Sequence, residues 1–104
     1  MKFVFRVRVR PGHTAEEYAE LWQRASRIIQ RAPGARGTEL HRALGDPNTL
    51  LAIASWESKP ARDARELFLK PDTEMRRVLD AHLGLVDFEL IGEFDDPEWV
   101  VKPS

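Results

Sequence analysis

A chain of 104 residues predicts one domain, and its 16 basic and 17 acidic side chains leave a net charge of −1. The signs are interspersed, so bulk charge argues against nucleic-acid or membrane-surface binding. Cysteine is absent, which excludes disulfides, thiolate catalysis and thiolate metal sites. No apolar stretch nears the roughly 20 residues of a spanning helix. Met1-Lys2-Phe3 leads straight into a strand pattern with no signal-peptide core, so the expectation is a cytoplasmic protein.

Phe3 to Arg10 alternates: Phe3, Phe5, Val7 and Val9 share one face, and Val4, Arg6, Arg8 and Arg10 share the other. Pro11-Gly12 ends this strand. Thr14 with Glu17 forms a capping box for a helix whose inner face is Tyr18, Leu21, Trp22, Ala25, Ile28, Ile29 and Ala32. Pro33-Gly34 stops it. Thr38 to Leu44 is a second strand, and Gly45-Asp46-Pro47-Asn48 predicts the turn of a hairpin. Leu50 to Glu57 is apolar on both parities, as a central strand covered on two faces would be. Leu50, Ala52, Ala54 and Trp56 lie on one side, and small alanines beside a large indole predict a recess.

Ser58 caps a second helix with Pro60 in its first turn and Ala61, Ala64, Leu67 and Phe68 inward. Pro71-Asp72 breaks it and opens a short third helix with Met75, Val78, Leu79 and His82 on one face, capped by Gly84. Leu85 to Phe94 is the last strand, with Val86, Phe88, Leu90 and Phe94 inward and Asp87, Glu89 and Glu93 outward. The tail from 95 to 104 carries Trp99-Val100-Val101, which is expected to dock on its own subunit or on a partner.

The order βαββαβ predicts an α+β, ferredoxin-like antiparallel sheet with helices on one face. The other face places Arg6, Arg8 and Arg10 across from Asp87, Glu89 and Glu57, around an apolar centre of Leu51 and Ile53. That mixture predicts a homodimer interface.

Residues 3–94 resemble the antibiotic biosynthesis monooxygenase (ABM) domain of the dimeric α+β-barrel superfamily. The likeness rests on Pro11-Gly12, Pro33-Gly34-Ala35-Arg36-Gly37, Leu40-His41-Arg42, Asp46-Pro47 and Ser55-Trp56-Glu57-Ser58. It implies a dimer whose sheets pack into a barrel, with a ligand pocket between sheet and helices in each subunit. One branch resembles the cofactor-free monooxygenases that oxidise phenolic or anthrone-type substrates with O₂. Their pocket residues imply roles for Trp56 and Arg76, whereas Ala52 and Arg62 stand where that branch has Asn and Tyr. A haem-degrading branch is not supported. Strand one offers Phe5 or Arg6 for its Asn, the second helix has no Trp, and His82 lies later than the expected ligand.

The residues themselves offer few candidates. His82 and His41 are candidate general bases and Arg76 a candidate anion holder. Trp56, Trp22, Tyr18, Phe5 and Phe68 are candidate walls for an aromatic ligand. The histidines are far apart, without the close pair of helical metal sites, and no metal is expected. Neither a Gly-rich phosphate loop nor a dinucleotide fingerprint is present, so no cofactor is expected. The function expected is a cofactor-independent monooxygenase acting on a small aromatic or polyketide-like molecule. A non-catalytic ligand-binding dimer, or an isomerase or cyclase on the same scaffold, stands beside it.

Overall fold

The computed structural model describes residues 1–65 and 73–104. Its elements are β1 (Lys2–Val9), α1 (Ala15–Ile29), β2 (Ala35–Ala43), β3 (Asp46–Trp56), α2 (Lys59–Asp63), α3 (Thr73–Leu85) and β4 (Val86–Phe94). The strands form one antiparallel sheet in the order β2-β3-β1-β4. This is the ferredoxin-like α+β fold, with β1 and β3 central. Leu67 and Phe68, expected on an inner helix face, lie outside the described residues.

Each local signal has a visible partner. The Thr14 hydroxyl accepts from the Glu17 N–H at 3.1 Å, and the Glu17 carboxylate accepts from the Thr14 N–H at 3.0 Å, completing the capping box. Ser58 Oγ accepts from the Ala61 N–H at 3.2 Å and starts α2. The apolar face of α1 packs on the sheet. One cluster holds Val7, Val9, Ala15, Tyr18, Leu50, Ala52 and Val86, and a second joins Ala25 and Ile28 to Met75 and Val78 of α3.

Three expectations about local geometry are corrected. The hairpin turn is Leu44-Gly45 alone, since Ala43 already pairs with Asp46. Asp46 accepts from the Asn48 N–H and the Thr49 hydroxyl, which holds Pro47 inside an irregularity of β3 where no ladder bond is required. Gly84 is not a cap: α3 runs to Leu85 and passes directly into β4. The Leu85 carbonyl is satisfied instead by the Arg10 N–H at 2.8 Å.

The third correction has the largest effect. The register between β1 and β4 shifts between Val4 and Phe5, where Phe5 pairs with Leu90 but Val4 pairs with Gly92. Ile91 is the extra residue of a β-bulge, and beyond it the side-chain parity of β4 reverses. Glu93 therefore lies opposite inward-facing Phe3, and Phe94 opposite outward-facing Lys2. The tail meets its own subunit at Asp96, which accepts from the Met1 amino group at 3.1 Å, while Trp99 and Val101 beyond it are 86% and 98% exposed.

On the sheet face away from the helices, Arg6 pairs with Glu89 at 3.0 Å and Arg10 with Asp87 at 2.8 Å. Glu57 takes no part; its side chain lies beside Gly34. Exposed pairs of this kind contribute about 0.2–1 kcal/mol each.

Candidate active site

Between the sheet and the helices lies a cavity of about 280 Å³. That is just below the range of roughly 300–1,000 Å³ usual for pockets that take drug-sized ligands. Its floor comes from the inward face of the two central strands. On β1 this is Phe3 and Phe5, and on β3 it is Ala52, Ala54 and Trp56. Pairing of Phe5 with Ala52 and of Phe3 with Ala54 sets large rings beside methyl groups, and this contrast in size opens the space. The Trp56 backbone is pinned because its N–H donates to the Met1 carbonyl at 2.9 Å.

Rings meet along this floor. Phe3 and Phe5 have centroids 4.7 Å apart, nearly perpendicular, and Phe5 lies 6.3 Å from Phe88. The edge-to-face contact of Phe3 with Phe5 adds about 0.5–1.5 kcal/mol beyond burial. Tyr18 and Trp22 of α1 also contribute to the wall, with Met75, Leu79 and His82 of α3. The i, i+4, i+7 spacing from Met75 to Leu79 and His82 brings these three to one helix face.

His82 is the one chemically unusual member. It is 4% exposed. Its Nε2 is buried with no hydrogen-bond partner among the described residues. The Leu21 carbonyl accepts from the ring. With Nε2 unpartnered, that bond belongs to Nδ1–H, so Nε2 carries the lone pair of a neutral imidazole. Burial drives the His82 pKa below its ordinary value of 6.5, and the Leu21 bond offsets part of this. Burial pushes the Tyr18 phenol well above its ordinary range, so it stays protonated.

The other sequence candidates separate. Trp56, Trp22, Tyr18, Phe5 and His82 converge on the cavity. Phe68 lies outside the described residues. Arg76 is exposed on α3 and absent from the lining, because it is one position past Met75 and its helix phase turns it to solvent. His41 is exposed on β2, opposite outward-facing Leu51, and its Nε2 lies 2.9 Å from Glu39. It belongs to the outer sheet face.

Two residues enter that sequence reading did not select, Arg62 and Arg65 of the α2 segment. The signal available was their i, i+3 spacing after the Ser58 cap, which sets both on one side. The Arg62 guanidinium lies 3.8 Å from the centre of the Phe3 ring, a cation–π contact. Its Nη1 donates to Glu93 Oε1 at 3.3 Å and to Asp63 Oδ1 at 3.4 Å. Arg65 Nη1 donates to the Arg62 carbonyl at 3.0 Å. Among the described residues no three His, Asp or Glu side chains gather as a metal site requires. None of the described helices is long and apolar enough to cross a membrane.

The cavity is thus walled by aromatic rings and includes His82, whose Nε2 has no partner among the described residues. No curated protein matches the chain. Among solved structures, a mutant of SnoaB, a cofactor-independent oxygenase from Streptomyces nogalater, is similar at 22% identity. The match covers 97% of this chain and 96% of that one, with a TM-score of 0.77. SnoaB itself is similar at 19% identity over 94% and 96%, with a TM-score of 0.69. Rv0793 from Mycobacterium tuberculosis is similar at 15% identity over 91% and 95%, with a TM-score of 0.64. These likenesses carry the fold, whereas the model of the family described as antibiotic biosynthesis monooxygenase matches residues 1–67 in sequence. The chain belongs to the antibiotic biosynthesis monooxygenase family.

Proposed function

We propose that the protein is a cofactor-independent monooxygenase that oxidises a small aromatic or polyketide-like substrate. The observation that carries this is His82, a buried imidazole whose lone-pair nitrogen has no partner among the described residues, in the wall of an aromatic cavity. A buried polar atom without a partner costs about 1–3 kcal/mol, and its retention fits a group kept for a ligand. Family membership supports the reaction class.

In this reading the rings of Trp56, Trp22, Tyr18 and Phe5 hold a flat substrate. His82 Nε2 removes a proton from an acidic hydroxyl or ring methylene, and the resulting electron-rich anion reduces O₂ directly. Overall a methylene loses two hydrogens and four electrons. One oxygen atom ends in the new carbonyl and the other in water. The protein binds, orients and deprotonates.

The test is oxygen uptake against a panel of phenolic and anthrone-type compounds. His82→Gln should lower kcat by roughly 10²–10⁴-fold, the usual contribution of a positioned base. Trp56→Ala should raise KM. Uptake by His82→Gln equal to that of the unaltered protein would remove His82 from the mechanism. One observation favours a second reading: a protonated phenol, Tyr18, stands beside the base, as an isomerase or cyclase needs. Substrate loss without oxygen consumption would select it.

The assembly proposed is a homodimer joined through the outer sheet face. Val4 and Ile53 pair at its centre, with Leu51 beside them and the two Arg–carboxylate pairs around them. Phe94, turned outward by the bulge, extends this apolar surface. The tail then docks on the partner.

A further inference from the structure

Two polar side chains of the cavity wall, His82 and Arg62, lie at opposite ends of the ring-lined floor. His82 is at the Phe88 end, with ring centroids 6.1 Å apart. Phe88 pairs with Val7 on β1, whereas Arg62 stacks on Phe3. Val7 and Phe3 are four strand positions apart, so the two ends are separated by about 10–13 Å. Between them run Phe3, Phe5 and Phe88.

At the far end the Arg62 side chain is only 18% exposed. All its hydrogen bonds leave from Nη1, and Nε and Nη2 make none among the described residues. This is the edge of a guanidinium that binds a carboxylate side-on through two parallel N–H···O bonds. Glu93 bridges Lys59, at 2.8 Å, and Arg62, at 3.3 Å, and Asp63 lies 3.4 Å from Arg62, so two cations share two carboxylates that engage Arg62 through Nη1 alone and compete with a ligand for it. Arg65 adds a second guanidinium to the same wall.

We propose that the cavity selects an elongated aromatic acid, with its carboxylate on the Nε/Nη2 edge of Arg62 and its acidic hydroxyl or methylene at His82. This deepens the monooxygenase reading and rests on the same cavity being the substrate site. A neutral aromatic of equal size fills the floor but leaves the Arg62 edge unpaired. Arg62 is thus a specificity-determining residue, and the spacing between the ends selects ligands at least two fused rings long.

Calorimetric titration with 6-hydroxy-2-naphthoate and with its neutral carboxamide tests this at pH 8. The acid should bind about tenfold or more tightly than the amide, as charge-assisted hydrogen bonds imply. Arg62→Gln should abolish that preference, weakening acid binding by far more than amide binding. Glu93→Gln, which removes the competing carboxylate, should strengthen acid binding only. The two substitutions act in opposite directions, so loss of fold in one does not leave the idea untested. Equal binding of acid and amide, no binding of either, or a preference that survives Arg62→Gln would overturn it. Calorimetry needs no turnover. An acid preference without oxygen uptake would retire the oxygenase reading alone, and uptake on neutral substrates without an acid preference would retire this one alone.

Discussion

The imidazole of His82 and the phenol of Tyr18 lie with ring centroids 5.1 Å apart and planes tilted by 54°. They come from different helices, and burial holds both neutral, lowering the pKa of one and raising that of the other. Below pH 6.5 the unfolded chain protonates this histidine while the folded chain does not. Between 6.5 and the lower folded value, stability therefore falls as pH falls, and it is fully present above 6.5. Urea denaturation at a series of pH values should show that slope, and His82→Gln should flatten it. Deprotonation by His82 should likewise give a kcat that rises with pH through the lowered value.

Ala52 keeps the cavity open, pairing across the sheet with Phe5 and Leu40. Ala52→Leu should fill the space with apolar atoms. The melting temperature should hold or rise by a few degrees, while affinity for an aromatic probe should drop by at least an order of magnitude. Differential scanning calorimetry and ligand titration on the same sample check both halves.

Gly34 and Gly45 both have positive φ, at 84° and 80°. A Cβ at Gly34 would fall 2.7 Å from the Ala61 Cβ, whereas one at Gly45 would meet nothing within 4 Å. Gly45→Ala should cost only the left-handed backbone penalty, about 1–2 kcal/mol. Gly34→Ala should cost about 2–4 kcal/mol, because the turn must also move away from α2. Paired denaturation curves give the difference directly.

If the outer face joins two copies, Ile53→Arg sets like charges at its centre and should give a monomer. Sedimentation at micromolar concentration distinguishes the two states. A stable monomer of the unaltered chain would remove the dimer from the reading. A monomeric Ile53→Arg that still binds ligand would show that one subunit completes the cavity.

Several features of the fold could be read before any coordinates. The α1 face from Tyr18 to Ala32 and the inward parity of Phe3, Phe5, Val7 and Val9 are local patterns, and they reappear as the core. The Leu50–Trp56 run, apolar on both parities, is expected in the middle of the sheet, and β3 lies there between β2 and β1. The site was legible only where a candidate sat on such a face. His82 and Trp56 meet that condition, and Arg76 does not.

What the sequence determines by itself is therefore the order of elements, their caps and the residues that face the core. These depend on periods of 2 and 3.6 and on neighbours within a few positions. What only the tertiary structure decides is the outcome of pairing between segments far apart in the chain. The bulge at Ile91 appears when β4 is laid against β1, and it reverses the parity of Glu93 and Phe94. It brings Glu93 to Lys59 and Arg62 and turns Phe94 outward. The cation in the cavity wall is Arg62 because of the way a one-turn helix seats on Phe3, a contact spanning 59 residues that no local pattern contains.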